Sequence, residues 1–230
     1  MGSLNDLDRL KREYSKRETR LQGSAIYSLF DSGYQFFIQN RQREILGLFQ
    51  RYDLTKDIHV LEVGCGEGEV LLEFLTFGYS PKSLFGLDIL QSRLARAQKK
   101  LPISTFICSD GQFIPYQSNM FDLVLQFTSF SSILNDMVKT KMATEILRVL
   151  KSNGLILWYD FWFNPTNPQT RGIRPAEIRR LFPNCVYDFH KITLAPPIAR
   201  RIVPVSWVLA LLLEKLKVFN SHYLVAIRPR

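Results

Sequence analysis

Cysteine is scarce in this 230-residue chain: Cys65, Cys108 and Cys185 are too few and too scattered for a disulfide framework or a cysteine-rich metal site. Histidine is equally rare, with three residues. Hydrophobic runs are short. The longest unbroken one, Trp207 to Leu213, falls far below the roughly 20 residues a membrane-spanning helix needs. The chain opens polar, which predicts no secretory leader, and Asp6 stands where a myristoylation signal at Gly2 requires Ser or Thr. Acids lag bases, 21 against 30, for a net charge of +9. Such an excess suits nucleic acid, anionic lipid or an acidic substrate, yet Lys and Arg are spread along the whole chain, as on an ordinary basic surface. These absences predict a reducing, cytoplasmic setting.

Apolar residues are abundant. They make up 46% of the chain against 22% charged, which excludes disorder, collagen and coiled coil. Aromatics reach 13%, with 17 Phe, enough to fill a large core and line an apolar pocket. The length suits one domain with small appendages.

Leu4, Leu7, Leu10 and Tyr14 fall at helical spacing and predict a helix over 4–22, followed by a second over 24–52. Rich in Tyr14, Tyr27, Tyr34, Phe36 and Phe37, residues 1–57 are expected to form an N-terminal helical lid. From residue 58 strand-like runs alternate with helical patterns. Strands are predicted at 58–63, 83–87, 104–108, 121–127, 154–161, 185–193 and 223–228. Leu123-Val124-Leu125 and Leu155-Ile156-Leu157-Trp158 are apolar on both faces, the mark of parallel strands buried between helix layers. The expected fold is α/β, a doubly wound, seven-stranded, mostly parallel sheet with its ligand site beyond the strands' carboxyl ends. The core spans 58–194, a helical insertion 195–220, and the last strand 221–230. Within the insertion Ser206, Ala210, Glu214 and Lys217 form a narrow polar stripe on a helix that is otherwise apolar. That pattern predicts a helix over 205–219 covered on more than one side. It caps the pocket, joins a partner chain in a homodimer, or makes weak membrane contact with Arg200 and Arg201 near headgroups.

The strongest local signal is His59-Val60-Leu61-Glu62-Val63-Gly64-Cys65-Gly66-Glu67-Gly68, a strand running into a glycine-rich turn before a helix. Glycine permits tight turning and close approach of a ligand to the backbone. Glu62, at the strand's end, can accept from a ligand ammonium. Asp88 closes the next strand and can accept two hydrogen bonds from a ribose diol. Dinucleotide enzymes use G-x-G-x-x-G with pyrophosphate at the helix start, whereas here the third glycine comes one residue early. Glu62 and Glu67 would also repel pyrophosphate. A cationic ligand carrying ribose suits the site better.

At these residues the chain resembles the class I (Rossmann-like) S-adenosylmethionine-dependent methyltransferases. The likeness runs from Val60 to about Asp160 and includes Cys108-Ser109-Asp110-Gly111, Asn119-Met120-Phe121-Asp122-Leu123-Val124 and Glu145-Ile146-Leu147-Arg148-Val149-Leu150-Lys151-Ser152-Asn153-Gly154. The last is like the family's "E--RVLKPGG", with Ser for Pro and Asn for the first Gly. The resemblance implies S-adenosylmethionine as cofactor and S-adenosylhomocysteine as product. It places Gly64 and Gly66 under the methionine portion, with Cys65 between them as a small filler, and Glu62 at the ammonium. Asp88 takes the ribose hydroxyls and Ile89 packs on adenine. Asp110 accepts from the adenine amino group while the Gly111 amide contacts the ring. Gln126 and Phe127 lie near the sulfonium. Asp122 precedes the buried strand core and is expected to be structural.

Several acceptors are argued against. After the fourth strand stands Gln126-Phe127-Thr128-Ser129-Phe130, without the D/N/S-P-P loop of exocyclic DNA amino methylation, the acids of metal-assisted catechol methylation or the glutamates of arginine methylation. No Cys follows a Pro, as carbon-5 cytosine methylation needs. A small, partly apolar acceptor remains, a natural product, sugar or lipid, methylated on oxygen in preference to nitrogen. The aromatic and amide-rich segment 158–168 is similar to enzymes of bacterial polysaccharide and natural-product pathways. An RNA methyltransferase, suggested by the +9 charge, and a non-catalytic cofactor-binding partner protein are the alternatives. In the family's strand order the seventh strand runs antiparallel beside the fifth, bringing His222 and Asp160 to one end of the sheet. They are expected as a catalytic pair, the carboxylate orienting an imidazole poised near neutral pH. Otherwise His222 bonds the insertion's backbone and Asp160 caps a turn.

Overall fold

The structure, a computed structural model, describes residues 8–16, 28–164, 167 and 169–230. The remainder of the predicted 4–22 helix, with Tyr27, lies outside the described residues. A helical segment over 8–16 (α1) precedes α2 (Ser32–Arg51), β1 (Val60–Val63), α3 (Glu69–Thr76), β2 (Leu84–Asp88) and α4 (Gln91–Lys100). β3 (Thr105–Cys108), β4 (Phe121–Phe127), α5 (Asp136–Val149), β5 (Leu150–Phe161) and α6 (Pro175–Leu181) follow. The chain closes with β6 (Cys185–Leu194), α7 (Pro196–Ile202), α8 (Trp207–Lys215) and β7 (Asn220–Pro229).

The seven strands form one sheet in the order β3-β2-β1-β4-β5-β7-β6. All neighbours are parallel except those of β7, which runs antiparallel to both β5 and β6. The central strands β1, β4 and β5 are buried on both faces, as their unbroken apolar runs require. On one face Ile45 and Phe49 of α2 meet Leu71 and Phe74 of α3 over Leu125 and Tyr159. On the other, Ala143, Ile146 and Val149 of α5 and Ile178 of α6 cover Val124, Ile156 and Trp158.

Helix starts follow local chemistry. Asp31 Oδ1 accepts from the Tyr34 amide at 2.7 Å, so α2 begins at Ser32 rather than at residue 24. Asn135 caps α5 through the Met137 amide at 2.9 Å. Asp122 is structural, as expected, accepting from the His59 amide at 3.0 Å and pairing with Lys151 at 2.7 Å.

The insertion departs from expectation. It holds two short helices, because Pro204 stops α7 and Ser206 restarts the chain by accepting from the Leu209 amide at 3.2 Å. Lys217 takes a left-handed conformation (φ 59°), which prevents α8 from continuing to Phe219. Nor is α8 covered on more than one side: Ala210 and Glu214 of the polar stripe point inward, Ala210 into a cluster with Phe36 and Leu194, while Val208, Leu209 and Leu212 are exposed. Glu214 explains the orientation: its carboxylate accepts from Asn40 and from the Thr193 amide at 3.0 Å, and the Glu214 carbonyl accepts from Asn220 at 3.0 Å. A buried acid tied to three elements decides which face turns in. Glu214→Ala would strand the Asn40 and Thr193 donors, at about 1–3 kcal/mol each. Urea unfolding should show that loss, and an unchanged midpoint would refute the role.

Candidate active site

At the carboxyl end of β1 the glycine loop folds back toward β2. Gly64 (φ 80°) and Gly66 (φ 55°) adopt the left-handed conformation that side chains resist. The Gly64 and Cys65 amides both donate to the Leu87 carbonyl, at 2.7 and 3.0 Å. A Cβ on Gly64 would lie 2.7 Å from Ser129 Cβ, so only glycine lets the loops after β1 and β4 meet here. Asp88 stiffens the arrangement, with Oδ2 accepting from the Gly66 amide at 2.8 Å and Oδ1 from the Leu90 amide at 2.9 Å. Cys65 fills the space above Gly86, where a Cβ would come within 2.7 Å of its sulfur. Burial, and then Glu62 and Asp88, push its thiol up and out of reactive range. Glu62 is buried as well. Its Oε2 has no hydrogen-bond partner, and burial, followed by the charge of Glu69, holds its carboxyl well above the usual range.

These groups border one cavity of about 1590 Å³, beyond the roughly 300–1,000 Å³ typical of a single small-molecule site. One half is lined by Glu62, Gly64–Gly66, Asp88, Ile89, Asp110 and Gly111. Asp110 is held by Gln112, whose amide and side chain donate to it at 2.9 and 2.8 Å. The other half is apolar: Phe37, Phe127, Tyr159, Phe161, Pro196 and Pro197, with His222 and Arg41. Thr128, on its wall, has φ 54°, a left-handed strain costing about 1–3 kcal/mol that marks the exit of β4. α1 and α2 both border the cavity. Arg9 donates to the Ser132 carbonyl at 2.8 Å, and Tyr14 lies under the Arg93 guanidinium, 5.1 Å from ring centroid to Cζ. Tyr34, Phe37 and Arg41 supply the α2 side.

Sequence reasoning missed Arg41. It pairs with Glu73 and sits 5.2 to 5.6 Å from the Phe37, Phe127 and Tyr159 rings, a buried cation held against the apolar half. No local motif announces it, because all its partners but Phe37 come from three other elements, α3, β4 and β5.

The expected catalytic pair is not brought together. β5 and β7 pair Phe161 with His222 and Asp160 with Tyr223, so Asp160 and His222 project from opposite faces of the sheet. Asp160 accepts from the Ser131 amide at 3.0 Å, the Phe161 amide at 2.8 Å and Gln126 at 3.3 Å. Burial pushes its carboxyl up to about 6. Gln126 shares that face and is fully buried, away from the cavity, whereas Phe127 faces in. His222 does line the cavity, stacked on Tyr159 at 4.7 Å with Nδ1 2.9 Å from Ser221 Oγ. It is not poised near neutral pH: burial, and then Arg41, push it down to about 3.

A cavity at the carboxyl ends of parallel strands, between the loops of β1 and β4, together with the glycine turn and the acid ending β2, is the ligand site of a Rossmann-like doubly wound fold. Residues 60–154 match the family described as a methyltransferase domain. The sterol 4-C-methyltransferase of Caenorhabditis elegans is 30% identical over 48% of this chain and 33% of its own. A phthiotriol/phenolphthiotriol dimycocerosates methyltransferase of Mycobacterium ulcerans is 31% identical over 47% of this chain and 38% of its own. The chain thus spans a third to just under half of the length of curated relatives it matches. A solved S-adenosylmethionine-dependent methyltransferase of Methanosarcina mazei shares the fold, with TM-score 0.59 and 16% identity over 79% of this chain and 97% of that one.

His222 thus couples folding to pH through its neutral form. Its neutral form favours folding fully above the unfolded value near 6.5, and that contribution fades as pH falls toward 3. Asp160, raised to about 6, acts oppositely: its contribution is full below about 3.9 and fades as pH rises through 6. In NMR the His222 ring signals should stay flat from pH 8 to 5, and a midpoint above 6 would contradict the burial described.

Proposed function

We propose that the protein transfers the methyl group of S-adenosylmethionine to a hydroxyl of a lipid-like small molecule. One observation carries the reading. The polar half of the cavity is continuous with an aromatic and prolyl half in which a bulky apolar acceptor meets the donor out of water. The activities for which the two relatives are named, on a sterol and on phthiotriols, point to the same acceptor class.

The residues present fit the cofactor. The unpartnered buried Oε2 of Glu62 awaits a donor such as the ammonium, and glycine at 64 lets the backbone of the β1 loop border the cavity where a side chain would collide with Ser129. Asp88 keeps lone pairs for the ribose hydroxyls beyond those used by the Gly66 and Leu90 amides. Ile89, Asp110 and Gly111 are assigned to adenine, and Phe127 to the methyl group. When bound, S-adenosylmethionine supplies a methyl already activated on a sulfonium, so alignment and exclusion of water supply most of the rate. α1 and α2 act as the lid that excludes it. The bound donor would supply its methyl carbon to the acceptor oxygen's lone pair and keep the carbon–sulfur electron pair as a neutral thioether. The hydroxyl proton becomes strongly acidic as that bond forms, and a weak base suffices to take it. His222 is assigned this step through Nε2, since Nδ1 is engaged by Ser221. Asp160 is a positioning residue, fixing the 129–132 wall through the Ser131 amide.

Two measurements test the reading. Asp88→Ala should weaken S-adenosylmethionine binding by about 1.5–3 kcal/mol, and Gly64→Val should nearly abolish it, both read by calorimetry. Wild-type affinity in both variants would overturn the assignment of the site. With methyl-labelled donor and a panel of hydroxylated lipids and sugars, S-adenosylhomocysteine release is expected with a lipid alcohol. His222→Ala should lower that turnover about 100-fold at unchanged cofactor affinity. Cofactor binding with no release from any acceptor class would make the protein a non-catalytic partner instead.

A further inference from the structure

Among the described residues no helix is long and apolar enough to cross a membrane. The outward face of α8 is nevertheless strongly apolar. Val208, Leu212 and Leu216 are 67%, 55% and 63% exposed, and their spacing of four residues aligns them along one face, with Val205, 83% exposed, just before the helix. Leu209 lies among them, exposed as well, and Val218 and Phe219 extend the face past the helix end. A monomer in water rarely leaves so continuous an apolar strip uncovered.

The charges around this strip have one sign. Between residues 195 and 219 the bases are Arg200, Arg201, Lys215 and Lys217, all exposed, and the one acid is Glu214. Glu214 is turned inward onto Asn40 and Thr193, so the outer surface of the insertion shows only cations. A two-fold contact between copies would set this cationic rim against itself, because such an interface buries the same patch on both partners. An anionic surface with an apolar interior matches both features at once.

The strip also adjoins the cavity. α7 packs on α8, and its Pro196, Pro197, Ile198 and Arg200 line the wall of the acceptor half. A Cβ on Gly33 would lie 3.1 Å from the Arg200 Cα, which brings the turn carrying exposed Leu29 and Phe30 to the same edge.

We infer that α8, rimmed by Arg201, Lys215 and Lys217, docks on an anionic lipid bilayer and sets the cavity's α7 wall toward the membrane surface. The helix lies in the interface, its apolar face in the headgroup and acyl boundary and the basic residues among the phosphates. This inference rests on the lipid-like acceptor proposed above for its use: an acceptor held in a bilayer reaches the apolar half past α7 without crossing water. The docking itself is measurable without any acceptor.

The test is flotation of the full chain with vesicles of phosphatidylcholine, with and without one quarter phosphatidylglycerol. Binding is expected to the anionic vesicles and to weaken with salt. Val208→Ser combined with Leu212→Ser and Leu216→Ser should lower partitioning at least about 10-fold. Arg201→Glu with Lys215→Glu should do the same. Both variants should keep the wild-type melting temperature and S-adenosylmethionine affinity, since none of these side chains borders the cavity. Failure to float with anionic vesicles, or flotation unaffected by either variant, would overturn docking. So would a concentration-dependent dimer, seen by sedimentation and lost in the triple variant, in a chain that ignores vesicles. The two readings fail separately: cofactor binding and turnover without flotation remove docking alone, and flotation without methylation of any lipid removes the acceptor class alone.

Discussion

β1 is bonded on one side to β2 and on the other to β4, and the chain winds away from it in both directions. The loops leaving β1 and β4 therefore part company at the carboxyl end and open a cleft that no side chain had to create. Everything chemical in the molecule hangs on that divergence. Gly64 lets the two loops approach to contact distance at Ser129, and Asp88 ties the β1 loop down through the Gly66 amide. α1 and α2 then roof a space whose floor the sheet had already laid out.

The sheet's alternation divides labour between its faces. Phe127, Tyr159, Phe161 and His222 share one face and form the apolar half of the cavity together with Phe37 and Arg41 of α2. Gln126 and Asp160 share the other and spend their hydrogen bonds on one another and on the Ser131 amide. A carboxylate one residue away from Phe161 in sequence is thus a sheet's thickness from the imidazole opposite Phe161. The burial that makes the cavity dry also lowers the basicity of His222. A site of this kind suits an acceptor whose proton leaves easily once the new bond forms, and an already activated methyl donor meets that condition.

The insertion shows the same competition between apolar and polar burial. α8 carries more apolar surface than the fold can cover, yet its inward face is chosen by Glu214, because an acid bonded to Asn40 and the Thr193 amide holds its place more firmly than another leucine would. The apolar excess goes to the outside, beside the α7 wall of the cavity.

Much of this was legible along the chain. The order of strands and helices, the parallel core and the G-x-G turn ending beside an acid are written in short-range patterns, since strand pairing of two-sided apolar runs and a left-handed turn depend on residues that are neighbours in sequence. Seven strands were expected and seven are present, with ends displaced by a few residues, most at β5 and β7. The polar half of the cavity could be read for the same reason: Glu62, Gly64, Asp88 and Asp110 all lie at or just beyond strand ends. The apolar half could not. Arg41 gains meaning only where α2 crosses Glu73 and three rings, and the separation of Asp160 from His222 follows from a register between β5 and β7 that is set by contacts 60 residues apart. The outward turn of α8 likewise hangs on Asn40 and Thr193, far away in the chain. Local sequence thus determined the elements and the glycine turn at the end of β1. Which side chains face one another across the cavity was decided only by tertiary packing, because facing is a property of pairs that the chain brings together last.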